Sequence, residues 1–310
     1  MISRGFFIGA ALLLAAVSPS PAQETVIRVK VRLVRMLATV KTAAGQLVGS
    51  LERRNFTILD NGIKQDIAVF ERQTEQPLSV SVLVDNSGST GIELKYELDS
   101  VNRFFRALVQ DGNPEDAVAL YSFNWEVRLL NNFTRSLSRL DQRLKLIRSE
   151  GGTSLYDAIY LASQDLQYRQ GRHVMVLVTD GGDTTSLKDF HAALEAAQLA
   201  DAVLYPVLVV PIRNEAGRNV GGEHALAVLS AGTGGRVFRP SVGADLDNAF
   251  ADILRELRTQ YLIGYYPKEI PSTKDRFHRV TLQVDNPGLR VVTRSGYYGE
   301  FEDNHRSPGR

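Results

Sequence analysis

Three oxygen-bearing side chains follow an apolar run with the spacing D-x-S-x-S. Asp85, Ser87 and Ser89 come directly after residues 78–84, LSVSVLV. An apolar, β-branched run of this length predicts a strand buried on both faces, as in a parallel sheet. In open α/β sheets, ligands bind beyond the carboxyl ends of the strands. These three side chains are therefore expected at a ligand-binding edge.

Two further stretches add matching oxygen atoms. Thr153 lies in the glycine turn of GGTSLYD, and Asp180 ends the apolar run VMVLVT. The candidate ligand set is Asp85, Ser87, Ser89, Thr153 and Asp180. Mg²⁺ prefers oxygen ligands, and two carboxylates balance its charge while hydroxyls add donors without further negative charge. The pattern predicts a divalent cation, Mg²⁺ first, with Mn²⁺ or Ca²⁺ as alternatives.

Other roles are open to several of these positions. The capping-box spacing of Thr90-x-x-Glu93 and Ser154-x-x-Asp157 favours helix capping for Thr90, Glu93 and Asp157. Asp85 or Asp180, taken alone, would be interpreted as a turn residue at a strand end. Their joint occurrence with hydroxyls in three similar loops favours the metal site. Asp183 is interpreted as a turn or N-cap residue.

Alternating strand and helix patterns predict how the site is positioned. Predicted strands cover residues 78–84, 117–123, 127–130, 174–179 and 203–210, and predicted helices cover 94–108, 137–147, 155–166, 192–200 and 246–257. Residues 211–222 are polar and glycine-rich and are predicted to form an exposed loop. The order predicts an α/β fold with a doubly wound, mostly parallel sheet.

The two flanks have strand periodicity of another kind. Residues 27–33 alternate apolar and basic, and the phase slips around Val34 to Met36, which predicts a bulge or break. Asp60-Asn61-Gly62 is a hairpin signal. Residues 260–266, 280–284 and 289–293 are further predicted strands. An isolated hairpin is marginal, so both chain ends are expected to build one small accessory antiparallel β module.

The amino terminus predicts export. Arg4, the apolar residues 5–17 and Ser20-Pro21-Ala22 have the order of a signal peptide, with cleavage expected between Ala22 and Gln23. No later run is predicted to span a membrane. The formal charge of +1 gives no indication of nucleic-acid binding, and there is no cysteine for a disulfide. A periplasmic, extracellular or cell-surface location is expected.

These features together resemble von Willebrand factor A (VWFA) domains. Their metal-ion-dependent adhesion site (MIDAS) has five liganding positions that match Asp85, Ser87, Ser89, Thr153 and Asp180. The resemblance implies that a partner protein supplies a Glu or Asp carboxylate to the metal. The flanking F-x-I-x-D-N-G, Q-Y-x-I-G-Y-Y and G-Y-Y segments are similar to exported VWFA-related proteins described mostly from Acidobacteria. Relatives often have an acidic pair where this chain has Leu59-Asp60.

The expected organisation follows from the resemblance. The segments are a signal peptide (1–22), an N-terminal β module with linker (23–76), a von Willebrand A-like domain (77–258), C-terminal strands completing the module (259–299) and a disordered tail (300–310). Tyr265, Tyr266, Tyr297 and Tyr298 could form a binding face, but sheet packing is the favoured interpretation. The patterns leave the oligomeric state undetermined.

The expected function is metal-dependent protein binding in adhesion or complex assembly, without enzymatic activity. One alternative is a Mg²⁺-dependent hydrolase or phosphotransferase. Against it, there is no G-x-x-x-x-G-K-[ST] loop, and Ser87 has no recognisable base because the histidines are scattered: His173, His191, His224, His278 and His305. The other alternative is a structural A domain whose metal site is empty.

Overall fold

The computed structural model describes residues 33–72, 75–88, 94–209, 219–241, 243–270 and 276–299. The described residues all belong to one compact unit. Several predictions lie outside the described residues: those for the leader, residues 27–32, Ser89, Thr90, Glu93, residues 211–218 and the tail 300–310. In the described part of the chain, no helix is long and apolar enough to cross a membrane.

A five-stranded sheet forms the centre of the fold, in the order β7-β6-β5-β8-β9. Its strands are β5 (Leu78–Asp85), β6 (Ala117–Phe123), β7 (Val127–Thr134), β8 (Arg172–Thr179) and β9 (Ala202–Leu208). All are parallel except β7, which pairs antiparallel with β6 at one edge. Every residue of the central strand β5 is buried, as expected when helices cover both faces.

Helices cover the sheet on both sides. One face packs against α1 (Leu94–Asp111), α2 (Leu137–Leu144) and α6 (Ala244–Thr259). The other packs against α3 (Leu155–Leu166), α4 (Phe190–Leu199) and α5 (Val220–Thr233). Val82 and Val84 of β5 belong to the first core and Leu83 to the second, because successive side chains of a strand point to opposite faces. The predicted doubly wound α/β fold is confirmed.

Helix α5 corrects the prediction for residues 211–222. Val220, Gly221 and Gly222 belong to a helix, where an exposed loop was predicted. Asn219 is its N-cap, and its Oδ1 accepts a hydrogen bond from the Gly222 amide at 2.8 Å. A Cβ on Gly222 would lie 1.4 Å from the Gly181 carbonyl oxygen. The glycines that indicated a loop therefore permit a close approach of helix to loop.

Strands from both flanks form two four-stranded antiparallel sheets, β12-β1-β10-β4 and β13-β11-β2-β3. Their bounds are β1 (Val34–Thr42), β2 (Phe56–Asp60), β3 (Ile63–Gln65), β4 (Ile67–Glu71), β10 (Tyr261–Tyr265), β11 (Phe277–Val284), β12 (Leu289–Val292) and β13 (Gly296–Tyr298). A 3₁₀ helix covers Arg53–Asn55. Both sheets contribute to one hydrophobic core, which includes Met36, Ile58, Ile263 and Leu282.

Strand β1 runs without interruption from Val34 to Thr42, so no break lies between Val34 and Met36 themselves. Residues 27–32, on the other side of the predicted slip, lie outside the described residues. Met36 and Ala38 face the core of the β module, whereas Leu37 packs against the core under the central sheet. Both faces of β1 are therefore covered.

Candidate functional site

Four of the five predicted site residues, Asp85, Ser87, Thr153 and Asp180, lie in segments at the carboxyl edge of the central sheet. Strands β5 and β8 are parallel neighbours, with Val84 paired to Val178. Asp85 therefore ends β5 beside the end of β8, and Asp180 is the first residue after β8. Parallel strands bring their carboxyl ends to the same edge, so two carboxylates that are far apart in sequence become neighbours.

Asp85 is fully buried and is held by hydroxyl and amide donors. Its Oδ1 accepts a hydrogen bond from the Ser87 amide at 2.9 Å, and its Oδ2 accepts one from the Thr179 hydroxyl at 2.6 Å. The pKa of the Asp85 carboxyl is raised to about 6, mainly by burial. Hydrogen bonds from Thr179 and Ser87 lower this pKa, and the Asp180 carboxylate contributes to raising it. Its negative charge is thus held at a free-energy cost.

The loop before α3 lies over the end of β5. The Glu150 amide donates to the Asn86 carbonyl at 2.9 Å, and the Ser149 hydroxyl donates to the Ser87 carbonyl at 3.0 Å. These contacts connect the loop that contains Thr153 to the loop that contains Ser87. Asn86 is buried as well, and its Nδ2 donates to the Arg148 carbonyl at 2.6 Å.

Thr153 is held from the other side by the loop after β8. Its amide donates to the Thr184 hydroxyl at 2.9 Å, and its carbonyl accepts from the Thr184 amide at 2.8 Å and the Thr185 amide at 3.2 Å. Thr153 itself is buried. Three loops are therefore joined by backbone hydrogen bonds: the loop that contains Ser87, the loop that contains Thr153 and the loop that begins at Asp180. Ser89 lies outside the described residues.

The acids near Thr153 have different capping partners from those predicted. Ser154 makes no side-chain cap bond at the start of α3. Asp183, in the neighbouring loop, caps the helix instead. Its Oδ1 accepts from the Leu155 amide at 2.9 Å and the Tyr156 amide at 3.3 Å. The capping interpretation of Asp157 is wrong, because its carboxylate accepts from the amides of residues 187 and 188.

Asp157 was misassigned because a capping box is a local pattern. The loop after β8 passes close to the first turn of α3, so each segment supplies the carboxylate that binds amides of the other. The N-cap interpretation of Asp183 is confirmed, although it caps a helix that precedes it in sequence. Spacing within one segment contains no signal for such an exchange between loops.

Thr179 is a site residue that the sequence interpretation treated only as a strand end. Its hydroxyl donates to Asp85 at 2.6 Å and accepts from the Gly181 amide at 3.1 Å. It therefore connects the two strand ends and orients the buried carboxylate. A hydroxyl directly before Asp180 in an otherwise apolar strand was the only available signal.

The donor set fits a hard divalent cation. Asp85 and Asp180 provide carboxylates, and Ser87 and Thr153 provide hydroxyls in the surrounding loops. Each carboxylate oxygen has two acceptor sites, so a hydrogen bond from protein does not exclude a second contact. Among the residues the structure describes, no group of three or more His, Cys, Asp or Glu side chains is placed to hold a metal. The predicted set contains only two such residues, so its ligands would be mainly hydroxyls.

Comparisons with known proteins agree with this architecture. The family model described as von Willebrand factor type A domain matches residues 80–182. That range contains Asp85, Thr153 and Asp180, although it covers less than half of the 310-residue chain. No curated protein matches the chain significantly.

Solved structures show similarity at low sequence identity. The vWF domain of the type V pili tip protein Mfa5 from Porphyromonas gingivalis is 15% identical, with a TM-score of 0.48 over 64% of this chain and 100% of that chain. BatB from Bacteroides thetaiotaomicron is 18% identical, with a TM-score of 0.46 over 58% of this chain and 98% of its own. The PilB minor pilin from Streptococcus sanguinis is 13% identical, with a TM-score of 0.47 over 61% of this chain and 63% of its own. Similarity at this level gives no information on function.

Proposed function

Because the central part of the chain matches a von Willebrand factor type A domain, we propose that it binds a partner protein through a divalent cation. The ligands are Asp85, Ser87, Ser89, Thr153 and Asp180, and Mg²⁺ is the preferred ion, with Mn²⁺ or Ca²⁺ as substitutes. The bound ion supplies a positive centre that accepts one more carboxylate, from an Asp or Glu of the partner.

The burial of Asp85 is the observation that carries this proposal. A fully buried carboxylate is costly unless it is paired with a positive charge, and the nearby Asp180 adds repulsion. The hydrogen bonds from Thr179 and Ser87 offset this only in part, since the pKa of Asp85 remains raised to about 6. A divalent cation held by Asp85 and Asp180 would offset both costs.

Binding is favoured over catalysis. A nucleophilic Ser87 would need a base, but two of the histidines are held elsewhere. His173 contacts the carbonyls of Ala200 and Arg169, and His278 stacks on Tyr297 in the β module. We therefore propose a non-enzymatic role in adhesion or in assembly of a complex. The predicted leader supports the proposal that this role is periplasmic or extracellular.

Calorimetric titration of the metal-free full chain with Mg²⁺ and Mn²⁺ tests the proposal. One saturable site is expected in the wild-type protein and none in Asp85→Ala. Asp66→Ala is the matched control, because Asp66 is an exposed carboxylate of the β module that pairs with Lys268. Wild-type protein that binds neither ion would contradict the proposal and favour a structural A domain.

A further inference from the structure

We propose that Trp125 is a partner-contacting residue, and that the partner presents a carboxylate with an apolar side chain beside it. This inference rests on the proposed function, because the carboxylate would bind the cation site. Trp125 is the only tryptophan of the chain. It is 57% exposed, at the tip of the β6–β7 hairpin.

The hairpin tip lies directly over the loop that contains Thr153. A Cβ on Gly152 would be 2.8 Å from the Cβ of Trp125, so the indole is attached above the residue that precedes Thr153. The Ser154 amide donates to the Asn124 carbonyl at 2.6 Å, and the Ser154 hydroxyl donates to the Trp125 carbonyl at 3.1 Å. Trp125 is thus adjacent to the proposed cation site.

The backbone of this hairpin is held in place before any partner arrives. The Asn124 amide donates to the Glu126 carbonyl at 3.1 Å, and the Glu126 amide donates to Asn124 Oδ1 at 2.9 Å. Asn124 Nδ2 donates to Glu150 Oε2 at 3.0 Å. A fixed backbone lowers the entropic cost of using the side chain in an interface. Tryptophan is also enriched among the residues that dominate interface energies.

A second exposed apolar side chain flanks the same loop. Leu187 is 95% exposed, and its amide donates to Asp157 Oδ2 at 2.9 Å in the first turn of α3. Trp125 and Leu187, which we call the apolar rim, are both attached to the segment from Gly152 to Asp157. A lone exposed apolar residue needs no explanation. Two that are attached to the loop of the candidate site are the surface that we assign to the partner's apolar side chain.

The charges of the hairpin point to the same partner chemistry. Glu126 is paired with Arg128 at 2.8 Å, so the two charges beside Trp125 neutralise each other. The surface then offers a cation site for one carboxylate and apolar side chains for its neighbours. An acidic segment with an adjacent aliphatic or aromatic residue fits both, whereas a highly acidic segment would leave the rim unused.

Panning of displayed random peptides against the immobilised full chain tests the inference. Binding is carried out in Mg²⁺ and elution uses a chelator. Recovered peptides are expected to share an Asp or Glu with an apolar residue close by. The strongest peptide, made synthetically, should bind Trp125→Ala at least about tenfold more weakly than wild type, while Mg²⁺ binding measured by calorimetry is unchanged. Trp125→Phe should restore part of the loss.

The control variant is Tyr168→Ala. Tyr168 is 89% exposed and follows the carboxyl end of α3, away from the site, so its removal should leave peptide affinity unchanged. Replacing the apolar residue of the peptide by Ser should weaken binding to wild type much more than to Trp125→Ala, since contacting residues are coupled. The emission of the single tryptophan should change when wild-type protein binds the peptide.

The outcomes separate the two proposals. Acidic peptides without an apolar preference, or full affinity in Trp125→Ala, would overturn the role of Trp125 and leave the cation site standing. Failure to recover any chelator-sensitive acidic peptide would contradict carboxylate capture itself, and the assignment of Trp125 with it.

Discussion

Two buried aspartates, Asp85 and Asp60, show how differently the two parts of the molecule treat a carboxylate. Both end a strand and both are fully buried. Asp85 is surrounded by loops at the open edge of the central sheet. Asp60 lies in the β module, where its Oδ2 accepts hydrogen bonds from the hydroxyls of Tyr265 at 2.8 Å and Tyr297 at 2.9 Å.

The donors explain the difference. Tyr265 is on β10 and Tyr297 on β13, so Asp60 on β2 joins strands of both sheets. His278 is another neighbour of Asp60, with its Nδ1 at 3.6 Å from Asp60 Oδ1. Burial, and then the hydrogen bond to Asp60, raises the pKa of both tyrosines, so they remain protonated donors. Asp60 is held by tyrosines on strands of both sheets, and Asp85 by the end of β8 and the loop after β5, at an edge of the central sheet.

The largest expected effect comes from removing the strand-held carboxylate. Asp60→Ala leaves two tyrosine hydroxyls without their acceptor in a buried site, and should lower the free energy of unfolding by about 4 kcal/mol. Urea unfolding measures this change. Cation binding should be unaffected, because the site is in the other part of the chain.

The same substitution at Asp85 is compared with Asp60→Ala. In chelator, Asp85→Ala should change the free energy of unfolding much less than Asp60→Ala does, because it also removes an unfavourable buried charge. Equal losses in the two variants would mean that both aspartates are structural, and the comparison would fail.

A smaller effect is expected where the helix meets the site loop. In Gly222→Ala, the new Cβ would lie 1.4 Å from the Gly181 carbonyl oxygen, so α5 or the loop after Asp180 must move. We expect a loss of about 2 kcal/mol in stability together with weaker Mg²⁺ binding, measured by urea unfolding and calorimetry.

Gly221→Ala is the matched control for that variant. A Cβ at this position would approach only Asn219 Oδ1, at 3.6 Å. Alanine in a helix is then neutral or stabilising by up to about 1 kcal/mol. If both variants retain wild-type cation affinity, the close packing of α5 does not position Asp180.

The smallest expected effect comes from the cap shared between loops. Asp183→Ala removes the acceptor of the Leu155 amide and one of the two acceptors of the Tyr156 amide, the other being the Ser186 hydroxyl. It should cost about 1 kcal/mol, as for an ordinary N-cap. Because Thr153 lies two residues before α3, cation affinity should fall as well.

Asp189→Ala is the matched control for Asp183→Ala, because it also removes an aspartate that caps a helix. Asp189 caps α4 by accepting from the Ala192 amide at 2.8 Å, so a similar loss of stability is expected with unchanged cation affinity. A matching loss of affinity in both variants would show that Asp183 acts through general stability and has no specific effect on Thr153.

Much of the fold could be predicted because its signals are local. The apolar run of β5 and the spacing along α1 each lie within one element, and Asn61 and Gly62 have the positive φ angles of a tight hairpin turn. Helix α5 was missed because Gly222 is in close contact with Gly181, and sequence rules treat glycine as a loop signal.

The sequence by itself determined the order of strands and helices, with the exception of α5, and the residue types at the strand ends. Periodicity and turn chemistry depend on near neighbours, so Asp85, Thr153 and Asp180 could be singled out as oxygen donors. Tertiary structure alone decided that Thr179 binds Asp85, that Asp183 caps α3 and that Asp60 joins two sheets. These contacts connect segments far apart in the chain, and their partners are chosen by how the elements pack.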